Sequence, residues 1–152
     1  MKRDSRLSVA LHVLLHMEDL GEVVTSETLG PMMQMNPVVV RRTIAGLREA
    51  GIVRSEKGHG GGWSLARPLT EVTLADVYTA LGLSAPFSIG PRDAAPRCLL
   101  ERAANRALTG ALDEAEALLM ARLAAISVAD LTADLPARPS QCAKKKGASR
   151  HA

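Results

Sequence analysis

The stretch 36–66, NPVVVRRTIAGLREAGIVRSEKGHGGGWSLA, decides the fold, and it reads as a helix, a strand, a glycine-rich turn and a second strand. Asn36 suits the N-cap because its short side chain can accept from an early helical N–H. Pro37 then brings a preset φ to the first helical position and has no N–H to satisfy. Val40, Ile44 and Leu47 recur at spacings of four and three, a single stripe that faces a core. The opposite side carries Val38, Arg42, Ala45 and Glu49, with Arg41 and Arg48 on one flank. Gly51 stops the helix as a left-handed cap. Ile52-Val53 opens a strand, Gly58-His59-Gly60-Gly61-Gly62 turns, and Trp63-Ser64-Leu65-Ala66 returns. A helix followed by a two-stranded hairpin with a bare glycine tip is the plan of a winged helix.

The chemistry of this piece suits duplex DNA. A helix enters the major groove when its outer face is slim and its flanks are basic. Val38 and Ala45 are small, Arg42 is placed to reach a guanine edge, and Arg41 to hold phosphate. A glycine tip lets backbone N–H groups approach phosphate or the minor-groove floor with no Cβ in the way. Over 36–66 there are five basic residues (Arg41, Arg42, Arg48, Arg54, Lys57) against two acidic ones (Glu49, Glu56). The competing reading is a winged helix that binds protein.

Composition narrows the rest. The 152 residues suit one domain, or a small domain plus an oligomerisation element. Only Trp63, Tyr78 and Phe87 are aromatic, so the core is aliphatic, and the scarcity of strand formers outside the wing predicts a mainly α chain. The net charge of +3 is unevenly spread. Residues 67–135 have six basic and nine acidic side chains and are poorly suited to nucleic acid, whereas 136–152 have five basic and none acidic. Two cysteines 44 residues apart, Cys98 and Cys142, with no apolar signal region, point to a cytoplasmic protein with reduced thiols. No apolar run reaches the ~18 residues of a membrane span.

Taken in order, 5–20 forms a first helix with Leu7, Leu11, Leu14 and Leu15 as its apolar face, closed by Gly21. His12 and His16 share a face at metal-ligand spacing, but no further ligand is evidently placed beside them, and no metal is expected there. Val23-Val24 is a very short strand able to pair with the wing. Thr25 or Ser26 caps a second helix, 26–33, whose first N–H groups can hold phosphate, and Gln34–Asn36 is the turn of a helix-turn-helix. Thr73 and Asp76 form a capping box for a fourth helix, 74–82, with Leu74, Val77 and Leu81 inward. The stretch 84–97 holds three prolines and a glycine and reads as a linker.

From Cys98 to Ile126 there is no proline and one glycine. Leu100, Ala104, Leu108, Ala111, Leu112, Ala115, Leu119 and Leu123 recur at helical spacing. Such a helix is about 43 Å long, more than a domain of this size covers, so the stripe calls for a second copy: a homodimer with these residues at its seam. Ser127 and Asp130 make another capping box, for a short helix to about Leu135. The expected organisation is a winged helix-turn-helix domain over 1–83, a linker over 84–97, a dimerisation helix and short C-terminal helix over 98–135, and a disordered basic tail over 136–152.

The succession from the helix-turn-helix through RRTIAGLREAGIVRSEKGHGGGWSLARP and VTLADVYTAL to ISVADL resembles the Rrf-two (BadM-type) winged-helix regulators of bacteria. It covers about residues 5–135. The resemblance implies a dimer that crosses its long helices, binds an inverted repeat in double-stranded DNA and usually represses transcription. Carried over position by position, it implies DNA contacts at Thr25 and Ser26, at Asn36, Val38, Val39, Arg41 and Arg42, and at Lys57, His59, Gly60 and Gly61.

One departure concerns cofactors. Some members hold an iron–sulfur cluster on three cysteines in the region matching 90–108, where this chain has only Cys98. The resemblance is therefore to the cluster-free branch, with no cofactor expected. Cys98, near a helix start and beside Arg97 and Arg102, reads either as a redox switch or as a passive thiol at a domain hinge, and the effector is an oxidant, a small molecule or none. An enzyme using Cys98 as nucleophile is disfavoured, since no histidine near it has a catalytic context. The alternative function is a protein-interaction subunit without specific DNA binding.

Overall fold

The computed structural model describes residues 4–83, 86–87, 89–91, 97–133 and 135. Part of the expected linker, the expected tail and Cys142 lie outside the described residues. The elements are α1 (Arg6–Leu20), α2 (Ser26–Met32), α3 (Pro37–Glu49), β1 (Val53–Glu56), β2 (Gly62–Leu65), α4 (Leu74–Ala80) and α5 (Leu99–Ala124). Short 3₁₀ turns lie at Leu69–Glu71 and Ala129–Thr132. The fold is mainly α, with a winged helix-turn-helix followed by one long helix, as expected. Among the described residues no helix is long and apolar enough to cross a membrane.

Cap chemistry sets most boundaries. Gly21 takes φ 63° and bonds its N–H back to Met17, ending α1. Thr25, Asn36 and Thr73 each cap with their own side chains. Thr73 and Asp76 form the reciprocal capping box, with bonds of 2.9 and 3.1 Å.

The core gathers Val40, Ile44 and Leu47 of α3, Leu29 of α2, Ile52, Val53 and Leu69, and Val72 and Val77 around α4, all essentially without exposure. The stripe read from α3 is therefore the buried one. In α1 the expected Leu14 is fully buried and the expected Leu7, Leu11 and Leu15 pack against the core, but the centre of the buried face lies beside them. The buried line is Ala10, Val13, Leu14 and Met17, while Leu7, Leu11 and Leu15 are half-buried at its edges. Apolar residues surround much of this helix, and small Ala10 gives close packing where leucine would hold the helices apart.

After α5 the chain comes back to the winged unit. Leu74 N–H donates to Ile126 O at 2.9 Å and Val128 N–H to Val72 O at 2.8 Å, so Thr73 and Ser127 face each other in an antiparallel bridge. Val128 is fully buried and belongs to the same core. Ser127 and Asp130 exchange bonds of 2.8 and 3.2 Å, which is the capping box read from the sequence, here opening a 3₁₀ turn.

Candidate nucleic-acid interface

Helices α2 and α3 meet closely because of one glycine and one tight turn. Gln34, the only non-glycine residue with positive φ among those described, sits at 54° between them. A Cβ on buried Gly30 would lie 2.9 Å from Met35 O and 3.0 Å from a Pro37 ring carbon, tighter than packed atoms tolerate. Thr25 Oγ1 accepts from Thr28 N–H at 3.2 Å at the head of α2, and Asn36 Oδ1 accepts from Val38 N–H at 2.9 Å at the head of α3.

The outward side of α3 is open. Val38 and Val39 are 51% and 44% exposed, and Arg41 and Arg42 are both exposed. The two arginines differ in company. Arg41 Nη2 donates to Glu27 Oε1 at 2.7 Å and to Ser26 Oγ at 3.3 Å, and Ser26 Oγ donates to Glu27 Oε2 at 3.0 Å. Arg42 forms no ion pair with any described residue. Ser26, where the resemblance implied a DNA contact, is fully buried in the chain, and its hydroxyl braces Glu27 and Arg41. The Glu27 carboxyl is held below the usual carboxylate range by its own backbone N–H first, then by the Ser26 hydroxyl, Arg41 and Thr25.

The wing pairs Val53 with Leu65, Arg54 with Ser64, Ser55 with Trp63 and Glu56 with Gly62. Val53, Trp63 and Leu65 turn one face to the core. On the other face Arg54 Nε donates to Glu56 Oε1 at 2.9 Å and to Ser64 Oγ at 3.0 Å, and Ser64 Oγ donates to Glu56 Oε1 at 2.8 Å. These bonds hold the Glu56 carboxyl below its usual range, the Ser64 hydroxyl most and Arg54 next. Lys57, Gly58, His59 and Gly60 stand exposed at the tip, and Gly61 is half-covered.

Two links join these pieces. Val24 and Trp63 exchange backbone bonds of 2.9 and 2.8 Å, the short strand read before α2. A Cβ at Gly62 would collide with Val24 O, so glycine there permits the junction. The Arg41–Glu27 pair joins α3 to the first turn of α2. The start of α2 is thus tied to both the wing and the exposed side of α3. Asn36, Val38, Val39, Arg41 and Arg42 lie exposed along α3, and Thr25 half-covered at the head of α2.

No residue of α5 is buried within the chain. Of the expected seam, Leu108, Leu112, Ala115, Leu119 and Leu123 are half-covered, whereas Leu100, Ala104 and Ala111 are exposed. Leu123 packs against the core of the winged unit. Leu99 and Leu118 are 74% and 65% exposed and were not in the stripe. Cys98 is the N-cap of α5, exposed, with no side-chain cap bond. His12 and His16 approach Nε2 to Nε2 at 2.9 Å, a contact in which one ring donates and the other accepts.

Comparison with known proteins agrees with this geometry. The matching family is Rrf2, described as an iron-dependent transcriptional regulator, over residues 3–134. The candidate HTH-type transcriptional regulator YwnA of Bacillus subtilis is 30% identical, covering 84% of this chain and 95% of that protein. The candidate regulator YffB of Lactococcus lactis is 29% identical, covering 86% of each. Among solved structures, a candidate transcriptional regulator from Lactobacillus plantarum superposes with TM-score 0.72 at 26% identity, covering 86% of this chain and 89% of its own. A candidate DNA-binding protein superposes with TM-score 0.69 at 29% identity, covering 84% and 99%. The family description names iron, for which the described residues offer the following donor set. Cys98 is the one cysteine among those described, and no three His, Cys, Asp or Glu among them converge on a metal position.

Proposed function

This chain belongs to the Rrf2 family of transcriptional regulators, and from that premise we propose a cytoplasmic homodimer that binds an inverted repeat in duplex DNA and represses transcription. Its relatives are regulators, not enzymes. The observation that carries the reading is an exposed Arg42 on α3, without an ion pair among the described residues, in a unit whose exposed glycine tip belongs to a wing bonded to Val24 just before α2. Arg42 reads a base edge, and its neighbours Val38 and Val39 leave room for the groove wall. Thr25, Asn36 and Arg41 on the helices, and Lys57, His59, Gly60 and Gly61 at the tip, contact the sugar–phosphate backbone. Buried Ser26 supports them from behind.

The second copy covers α5. A helix of 26 residues is about 39 Å long, and none of its residues is buried by its own chain. Leu100, Ala104, Leu108, Ala111, Leu112, Ala115 and Leu119 supply the seam, with Leu118 added from its exposure. Crossing of two such helices sets the separation of two α3 helices, which an inverted repeat matches. Cys98 is the candidate point of modulation, as an exposed thiol at the head of that helix.

The test selects genomic fragments retained by the purified protein and titrates them against salt. Specific binding gives footprints with two-fold symmetry and a log–log salt slope set by the phosphates neutralised. Retention of no duplex above background would favour the protein-interaction reading. Mild oxidation should shift affinity in wild type and in Cys142→Ser but not in Cys98→Ser.

A further inference from the structure

Glu27 and Arg41 are fourteen residues apart and meet through 2.7 Å at the surface assigned above to DNA. Resting on that assignment, we propose that Glu27 is a counter-charge on the DNA-binding surface: it occupies Arg41 in the free protein and so lowers the phosphate-driven affinity that all duplexes share.

The geometry supports this in three ways. The pair is accessible, since the side chains of Arg41 and Glu27 are 58% and 64% exposed. An ion pair so exposed contributes little to folding. Its position matters more than its strength, because it joins the α3 cation next to Arg42 to an acid on the neighbouring helix. A DNA phosphate offers Arg41 the same kind of acceptor that Glu27 does, two oxygens with full negative charge. Contact between Arg41 and phosphate therefore requires either exchange of partners or a carboxylate left beside a phosphate. Both outcomes subtract from the electrostatic part of binding that every duplex shares.

The second acid near this surface behaves differently. Glu56 is bonded to Ser64 and Arg54 on the outer face of the wing strands, so it restrains a strand residue and not a side chain of α3. The Glu27 carboxylate, by contrast, reaches across to a side chain of α3 at 2.7 Å.

The experiment compares wild type with Glu27→Gln, which keeps the size and an acceptor for Ser26 but removes the charge. Affinity is measured for a random-sequence duplex and for a retained genomic fragment, each across a range of salt. The expected result is a roughly two- to fivefold gain on the random duplex. The log–log salt slope should steepen by about 0.9, one more phosphate contact, and the gain should appear on the retained fragment as well, since the term is common to every duplex. In an Arg41→Ala background the same substitution should change random-duplex affinity by less than about half that factor, since the charge it releases is gone. Glu27→Ala gives a second version should the glutamine variant fold poorly.

Weaker duplex binding by Glu27→Gln would overturn the proposal and make Glu27 a residue that positions Arg41 for contact. An equal gain with and without Arg41 would also overturn it. Wild-type protein with no salt-dependent affinity for any duplex would instead refute the DNA-binding assignment on which it rests.

Discussion

Val128 donates its backbone N–H to the carbonyl oxygen of Val72 at 2.8 Å, and both residues are fully buried. They are far apart in sequence, and their bond closes the chain on itself after the long helix. Val72 precedes the Thr73–Asp76 capping box and Val128 follows Ser127, so two helix-start devices lie against each other at this junction.

The first prediction tests that junction. Val128→Ala removes two buried carbons and should cost about 1.5–3 kcal/mol of stability, the transfer loss plus the cavity left behind. Leu118→Ala, at a position 65% exposed in the single chain, should change monomer stability by no more than about 0.5 kcal/mol. Chemical denaturation at low protein concentration makes the comparison. Equal losses would mean that Val128 is no part of the core.

The second concerns Arg42 and Lys57. Arg42→Ala should cost about 1–3 kcal/mol on a retained fragment and relax preference at one base position. Lys57→Ala should weaken all duplexes alike and reduce the salt slope by about one contact. Equal losses for Arg42→Ala on retained and random duplex would remove its base-reading role.

The third concerns the seam. Leu112→Glu and Leu119→Glu place a charge where burial by a second copy would leave it unpaired, which is costly. Sedimentation should show monomers for both, with loss of two-fold footprints. A dimer that survives either change would place that residue outside the seam.

The fourth concerns protonation in the wing. Because the folded Glu56 carboxyl is held below its usual range, first by Ser64 and then by Arg54, the folded chain binds a proton less readily than the unfolded chain. The associated stability is present above the ordinary glutamate range of about pH 4.3 and is lost as pH falls through the lower folded value. Carboxyl carbon chemical shifts should show Glu56 titrating below a free glutamate. In Ser64→Ala it should move back up, and in Arg54→Ala it should rise by less. A Glu56 titration indifferent to Ser64 would contradict the bonding described.

Much of this architecture is written locally. Asn36 and Pro37, Thr73 and Asp76, and Ser127 and Asp130 announce helix starts through the chemistry of a few adjacent atoms, and all three appear in the structure. The α3 stripe is legible because its opposite side is polar. In α1 apolar residues spread too widely for periodicity to centre the buried face, which shares Leu14 with the expected Leu7–Leu11–Leu14–Leu15 but adds Ala10, Val13 and Met17; only the neighbouring helices decide. The Glu27–Arg41 pair and the burial of Ser26 depend on how α2 sits on α3, set by Gly30 and the left-handed Gln34. Neither leaves a signal in spacing. Likewise, the short turn after Ser127 reads as a helix start, but nothing local says that Val128 will enter the core of the domain that precedes it.

The bonds between 72–74 and 126–128 make α5 a lever with its fulcrum at the C-terminal end. Its arm is about 39 Å, and Cys98 lies at the far tip. A tilt of about 5° at the fulcrum displaces that tip by roughly 3 Å, the scale of a hydrogen bond.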